Sequence, residues 1–398
     1  MAETSDPGPA SIQPATVRGT AGFFRVGRTA AGAWWLLDPA GETILLRAVN
    51  GVHGAEGSRH DPVARLRAWG FNALGPGAAA PLHDEGLPFV ADVGFGAAGP
   101  VIHFAGARLP DVFDPAWPQA AVARAGEVCL PLAGRSDLIG WLADDQPGWA
   151  QPGPAGRPAL LQVCLSLEPT FAAYHAAWEF VLAPLGGRLE GLARAWSRPL
   201  ANKEVVRELT RTEQGLATRG YLRDDARWTR EFARRYFTLT AAAIRAHDPN
   251  HLILGGRFGG RVGAAVLAEC VYPAVDAAWI DLDDLPAAPA GPVVAGEFTW
   301  VDGHQATAPG SRRLAGLTTL ERMLRRGRGS LQKLARHPAV IGYAWSRWRD
   351  GAGEQPPFAS GLVHDNDAEA REHTELLTDI NARAEDLRRT AALAALPA

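Results

Sequence analysis

Short apolar runs alternate with longer amphipathic stretches along most of the chain. The runs are rich in Val, Ile, Leu and aromatic residues and are bounded by Gly, Pro, Asn or Asp, which is typical of buried strands. The stretches between them repeat apolar residues every three or four positions, as in helices that pack on one face. Alternating strands and helices favour a parallel sheet. The pattern therefore predicts an α/β fold, a (β/α)₈ TIM barrel.

Helix boundary signals support this division of the chain. Asp61 and Pro62 fit the N-cap and first position of a helix, and Asp248 with Pro249 stops the long helical pattern of residues 225–246. A β-hairpin is predicted at residues 23–26 and 33–37, and the eight barrel strands at residues 43–50, 71–74, 88–93, 138–144, 251–255, 275–281, 292–296 and 340–345.

One barrel domain is predicted to span residues 21–388, a size that such barrels reach through loop insertions. Residues 145–223 are too many for an ordinary connection between a strand and its helix. We interpret them as an elaborated loop over the carboxyl ends of the strands. Residues 1–20, rich in Pro, Gly, Ser and Thr, are predicted to be a disordered tail, and residues 389–398 a second tail.

Composition and charge exclude several classes of protein. Lys and Arg number 40 against 43 Asp and Glu, so the basic excess of a nucleic-acid-binding protein is absent. Three cysteines are too few and too irregularly spaced for a disulfide framework or a zinc site. The amino terminus lacks a signal-peptide pattern, and no apolar run is long enough to cross a bilayer. We expect a cytoplasmic, bacterial protein without a cofactor, of unspecified oligomeric state, that contacts neither nucleic acid nor membrane.

Two predicted strands end in carboxylates. The seventh runs into Gly296 and Glu297, with Trp300 close behind, and the fourth ends in Asp144, Asp145 and Gln146. Active sites of (β/α)₈ barrels lie at the carboxyl ends of the strands, so both segments are candidate catalytic positions. The plainer interpretation is a capping or surface role after a strand, and for Glu297 we favour the catalytic one.

The chain resembles the agarase-like branch of the clan A glycoside hydrolases over residues 22–383. The resemblance depends on the order and spacing of several short motifs. They are GFFRV (22–26), WWLLDP (34–39), LRAWGFN (66–72), DVFDP (111–115), DPNHLILG (248–255), RF (257–258), GEF (296–298) and GLV (361–363). The resemblance implies that Glu297 is the nucleophile of a retaining glycosidase and that Trp345 is the aromatic platform for a sugar.

Two positions depart from the family pattern. The fourth-strand motif resembles Asp-Asn-Glu in the family, so the acid/base position is occupied here by Gln146, which cannot transfer a proton. The tyrosine that would orient the nucleophile after the sixth strand is replaced by a segment containing Asp281. Three alternatives follow. Asp145 or Asp281 has become the acid, the substrate has a leaving group good enough to need no acid, as in the similar plant thioglucosidases, or catalysis is lost.

Other residues at predicted strand ends could bind a sugar. Packing inside the barrel would account for Trp141 and Trp279, whereas for the remaining Trp residues after strands we favour a cleft, because flat aromatic rings stack on sugars. The predicted substrate-binding residues are Asn50, Asp144, Arg257, Asp281, Trp149, Trp300, Trp345 and Trp348.

Metal binding has little support in the sequence. Asp281, Asp283 and Asp284 lack the accompanying residues of a calcium or magnesium loop. His53, His304 and His364 follow strands, but the sequence does not show whether they meet. The sequence thus leaves a glycosidase as the leading hypothesis. A silent carbohydrate-binding barrel and a barrel with another reaction on a sugar or natural product are the alternatives.

Overall fold

The computed structural model describes residues 11–54, 60–104, 107–144, 158–256, 263–281, 285–301, 319–354, 356 and 358–394. Their strands are β1 (Arg25–Arg28), β2 (Trp34–Leu37), β3 (Thr43–Ile44), β4 (Leu46–Val49), β5 (Ala73–Leu74), β6 (Phe89–Asp92), β7 (Val101–Phe104), β8 (Ala107–Pro110), β9 (Leu138–Leu142), β10 (Leu252–Ile253), β11 (Ala278–Asp281), β12 (Val293–Phe298) and β13 (Val340–Trp345).

Eight of these strands form one parallel sheet in the order β10-β9-β6-β5-β4-β13-β12-β11. The sheet curls until its two outermost strands approach each other. The amide of Trp279 donates to the carbonyl of Leu254 over 2.9 Å, and the amide of Asp276 donates to Ile253 over 2.9 Å. The predicted α/β fold with eight parallel strands is confirmed.

Helices surround this sheet. They are α1 (Pro62–Ala68), α2 (Trp117–Cys129), α3 (Leu160–Ser166), α4 (Ala172–Leu182), α5 (Leu189–Ala195), α6 (Glu204–Arg211), α7 (Arg219–His247), α8 (Ala264–Val266, continued by a π-helical turn at Leu267–Val271), α9 (Thr319–Arg336), α10 (Arg371–Asn381) and α11 (Ala384–Ala394). Asp61 caps α1 as predicted, since its carboxylate accepts a hydrogen bond from the amide of Val63 over 2.8 Å.

The inside of the curled sheet is filled by its own inward side chains. Leu46, Ile139, Trp279 and Ile341 belong to this buried interior cluster, and so does Phe24 beside β1. The amide of Trp34 in β2 donates to the carbonyl of Pro338, just before β13 begins, over 2.7 Å. The amino-terminal segment therefore packs at the amino ends of the strands, and their carboxyl ends are left for a site.

Both predicted tails extend too far into the chain. Residues 11–20 are ordered: Pro14–Thr16 form a 3₁₀ turn, and Arg18 bridges to Val26 of β1. This segment is ordered because Ile12 packs over Gly27, where a β-carbon would lie only 2.6 Å from it. At the other end α11 continues through residues 389–394, which we had predicted to be tail.

Several predicted elements have different bounds. Residues 43–50 contain two strands, because β3 pairs antiparallel with β2 and only β4 joins the large sheet. The hairpin β7–β8 was not predicted. Between β9 and β10 the described part of the long insertion is helical, α3 to α6 followed by α7, and the predicted helical pattern at residues 169–194 is split into α4 and α5.

Candidate active site

Glu297 lies at the carboxyl end of the sheet, in β12, and pairs in register with Asp281 at the end of the neighbouring strand β11. The backbones of adjacent strands are about 4.8 Å apart. Register therefore brings two carboxylates, both singled out from the sequence, to adjacent positions at this edge of the sheet.

The segment before Glu297 contains one residue more than the strand beside it. Ala295 pairs with Tyr343 and Phe298 pairs with Trp345, so three steps along β12 match two along β13. Such an extra residue interrupts the ladder and changes the direction of nearby side chains. Asn50, which follows β4, donates its side-chain amide to the carbonyl of Gly296 over 2.8 Å. This hydrogen bond satisfies a carbonyl inside the irregular segment.

Glycine at position 296 is required by the packing of the strand beside it. A β-carbon there would lie 1.8 Å from the indole nitrogen of Trp279, which is fully buried in the interior cluster. The missing side chain allows the indole of Trp279 to lie against the backbone of β12 at position 296. The sequence Gly-Glu thus combines a packing requirement with a carboxylate at the strand end.

A cleft of about 410 Å³ opens at this end of the sheet. Glu297 and Asn50, both singled out from the sequence, line this cleft. The full lining is Asn50, Gly51, His53, Pro76, Gly77, Glu297, Ser346, Arg347, Trp348, Arg349 and Asp350.

Three residues of the lining carry buried polar atoms without a hydrogen-bond partner in the described part of the chain. They are Asn50 Oδ1, Ser346 Oγ and Trp348 Nε1. Buried polar atoms are rarely left in this state in a folded protein. Water or a ligand bound in the cleft would satisfy them.

The segment after β13 supplies much of the cleft, and the sequence analysis missed most of it. Of the two residues singled out there, Trp345 and Trp348, only Trp348 lines the cleft, and it does so together with Arg347, Arg349 and Asp350. The rule that polar residues after a barrel strand face the site applies to them equally.

Asp350 is held by the same segment. Its carboxylate accepts a hydrogen bond from the amide of Gly361 over 3.2 Å and lies 2.8 Å from Nδ1 of His364. The other ring nitrogen of His364 lies 3.9 Å from a carboxylate oxygen of Glu372. His364 thus acts within this loop, and His53 is the histidine of the described chain that lines the cleft.

Two predicted sugar-binding tryptophans lie in the packing around the barrel instead. Trp345 is fully buried and donates its indole N–H to the carbonyl of Ser360 over 2.9 Å. Trp300 is 9% exposed, packs on Trp345 with ring centroids 4.6 Å apart, and donates to Nδ1 of His373 over 3.0 Å. Neither ring offers a face to a sugar. Trp141 and Trp279 are fully buried, as predicted, and Trp348 lines the cleft while only 2% exposed.

The same packing fixes the protonation of His373. Its Nε2 faces the carbonyl of Ala359 over 2.7 Å, so this nitrogen carries the proton and Nδ1 accepts from Trp300. Burial lowers the pKa of His373. The ring is therefore neutral and serves as a structural link between α10 and the Trp300–Trp345 pair.

Asp144, which the sequence predicts to contact substrate, makes structural hydrogen bonds at the end of β9. Its carboxylate accepts hydrogen bonds from the amide of Gly96 over 2.8 Å and from the hydroxyl of Tyr236 in α7. Burial and the neighbouring charge of Asp144 raise the pKa of Tyr236 well above its ordinary value. Asp144 therefore fastens the end of β9 to α7.

Several predicted site residues lie outside the described part of the chain. They are Asp145, Gln146, Trp149, Arg257, Asp283, Asp284 and His304. Within the described part, no three His, Cys, Asp or Glu side chains are grouped to hold a metal ion. A search of the same residues finds no helix with the length and hydropathy to span a membrane.

Comparison with known proteins supports a shared fold. No family model matches the chain. Beta-agarase A of Vibrio sp. (strain JT0107) is 29% identical over 274 residues, which cover 59% of this chain and 26% of that protein. The chain thus matches about a quarter of the length of this curated relative.

Solved structures with a similar fold include glycoside hydrolases. PfGH50B superimposes with a TM-score of 0.68 at 16% identity, covering 94% of this chain and 67% of that one. BpGH50 gives 0.67 at 16% identity, over 94% of this chain and 84% of the other. A β-galactosidase from the psychrophilic Marinomonas ef1 gives 0.52 at 13% identity, over 87% and 60%. The curled parallel sheet of this chain therefore resembles the fold of these structures, including that of the β-galactosidase.

Proposed function

We propose that the protein is a glycosidase that acts on a sugar-containing substrate, with Glu297 as the nucleophile. The observation that carries the proposal is the position of Glu297 at the end of β12, lining a cleft with Asn50 and beside Asp281 in register. The similarity to beta-agarase A and to glycosidase structures supports the same chemistry.

Retaining hydrolysis needs a second carboxyl group about 5–5.5 Å from the nucleophile. We propose Asp281 for this role in preference to Asp145, because the pairing of β11 with β12 places Asp281 beside Glu297. As the acid it would protonate the departing oxygen while Glu297 attacks the anomeric carbon. General acid help contributes roughly 10²- to 10⁴-fold to the rate.

Hydrolysis of aryl glycosides with good and poor leaving groups, with and without azide, tests these roles. We expect Glu297→Gln to abolish turnover of every aryl glycoside, whereas the exposed Glu179→Gln on α4 keeps it. Asp281→Asn is expected to slow the release of poor leaving groups by roughly 10²-fold or more. With good leaving groups the glycosyl-enzyme still forms and then accumulates, and azide restores turnover by attacking it to give a glycosyl azide. Full activity of Glu297→Gln would contradict the proposal.

A second candidate is a barrel that binds carbohydrate without turnover. Gln146 at the position expected for the acid favours it. The two candidates differ in one result: a silent barrel binds a sugar in the cleft but hydrolyses no aryl glycoside, even one with an activated leaving group.

A further inference from the structure

Two arginines line the cleft, and they differ in what their guanidinium groups contact. The guanidinium of Arg349 donates to the carbonyls of His364 and Asp365 over 2.7 and 3.1 Å, and lies 3.3 Å from a carboxylate oxygen of Asp367. These contacts tie the segment after β13 to the loop before α10. Arg349 is therefore used in holding the wall of the cleft.

Arg347 makes no such contacts. Within the described residues its guanidinium makes no hydrogen bond, and its ion pair is with Glu354, at 3.8 Å. That carboxylate already accepts hydrogen bonds from the amides of Gly351 and Ser360, at 3.0 and 2.8 Å, and from the Ser360 hydroxyl. The side chain of Arg347 is 48% exposed. The donors of this arginine are thus available to a ligand.

The backbone places Arg347 close to the proposed reaction centre. The amide of Ser346 donates to the carbonyl of Phe298 over 2.9 Å, where β13 and β12 end side by side. Arg347 is the next residue along the chain. Its guanidinium rests on Gly351, where a β-carbon would lie 2.2 Å from one of its nitrogens. Glycine at that position allows the cation to lie low against the wall of the cleft.

We propose that the cleft selects a sugar carrying a carboxylate or sulfate group, and that Arg347 recognises this anion. A guanidinium presents N–H donors in a planar fork that matches two oxygens of such a group, which an alcohol of a neutral sugar cannot offer. The inference rests on the proposed function for the conclusion that the ligand is a sugar. What is new is that the sugar carries a negative charge and that Arg347 binds the charged group.

Calorimetric binding of free monosaccharides tests the inference without any turnover. The matched probes are glucuronate with glucose, galacturonate with galactose, and galactose 6-sulfate with galactose, so that the carboxylate and sulfate arms are separated. We expect at least one acidic sugar to bind roughly 10- to 100-fold more tightly than its neutral partner. Arg347→Ala is expected to remove the preference and Arg347→Lys to keep part of it, whereas Arg325→Ala on the exposed face of α9 leaves it intact.

Equal binding of acidic and neutral sugars, or a preference that survives in Arg347→Ala, would overturn the inference. If the preference is absent while aryl glycoside hydrolysis still depends on Glu297, the charge selection is wrong and the glycosidase proposal stands. If the preference depends on Arg347 but no aryl glycoside is hydrolysed, the charge selection stands and the glycosidase proposal is wrong. Failure to bind any of the sugars would overturn the charge selection alone, because the glycosidase proposal is tested by the dependence of aryl glycoside hydrolysis on Glu297.

Discussion

The side chain of Asn50 donates its amide to the carbonyl of Gly296 over 2.8 Å, across the strand that separates β4 from β12. Gly296 directly precedes Glu297, in the part of β12 that has one residue more than its neighbour. One buried amide thus holds the backbone that positions the proposed nucleophile, while its oxygen remains without a partner among the described residues.

Replacement of Asn50 with Ala is expected to reduce activity more than stability would explain. Losing the donor leaves a buried carbonyl unsatisfied, which costs about 1–3 kcal/mol in the free energy of unfolding. The control is Asn72→Ala. Asn72 bridges Leu45 and Arg47 with hydrogen bonds of 3.0 and 2.8 Å, at the amino end of β4. Denaturant unfolding measures the loss of stability in each variant. The value of kcat, measured at denaturant concentrations where the variant is still folded, gives the loss of activity. An equal loss of kcat in the two variants would contradict a role of Asn50 at the site.

The contact between Gly296 and Trp279 predicts that substitutions at these two positions have strongly non-additive effects on the free energy of unfolding. Gly296→Ala is expected to destabilise the protein by at least about 1–3 kcal/mol, because the new methyl group overlaps the indole. Gly54→Ala is the control, since a β-carbon at Gly54 meets nothing within 4 Å. In a Trp279→Leu background the cost of Gly296→Ala should fall sharply. Additive effects in the double-mutant cycle would show that the indole is not what excludes a side chain at position 296.

These two contacts separate what the sequence could predict about the site from what only the folded structure shows. The apolar run before Gly296 and the Gly-Glu pair were sufficient to predict a carboxylate at a strand end, since both are local features. That β12 continues to Phe298 depends on its pairing with Trp345, a residue 47 positions later. The same tertiary packing buries Trp300 and Trp345, because α9 and α10 cover them. An aromatic residue after a strand has the same local pattern whether it faces a cleft or a helix.

Asp225 in α7 predicts a pH dependence of stability. Burial raises its pKa to about 6, although the carboxylate accepts a hydrogen bond from the amide of Leu161 over 2.9 Å. A raised pKa means that the folded state favours the protonated acid, so stability is greatest below the ordinary pKa near 4 and falls as pH rises through 6. Asp225→Asn should therefore raise the melting temperature at pH 7–8 relative to the wild type, and less at pH 4. The exposed Asp386→Asn is the control, and identical pH profiles for the wild type and Asp225→Asn would refute the assignment.

The pair Asp248–His251 predicts the opposite behaviour at lower pH. Burial alone would raise the pKa of Asp248, but hydrogen bonds from the His251 ring at 2.5 Å and the Trp141 indole at 2.7 Å outweigh it, so the pKa is lowered. The stability it contributes is present above the unfolded value near 4 and is lost as pH falls through the lower folded value. Asp248→Asn should cost about 1–3 kcal/mol at pH 7, because it weakens the buried hydrogen bonds to the His251 ring and the Trp141 indole. The deficit should shrink below pH 4, whereas the exposed Glu179→Gln should leave the unfolding curve unchanged at every pH. A deficit that stays constant from pH 7 to pH 3 would mean that the charge of Asp248 is not what stabilises the amino end of β10.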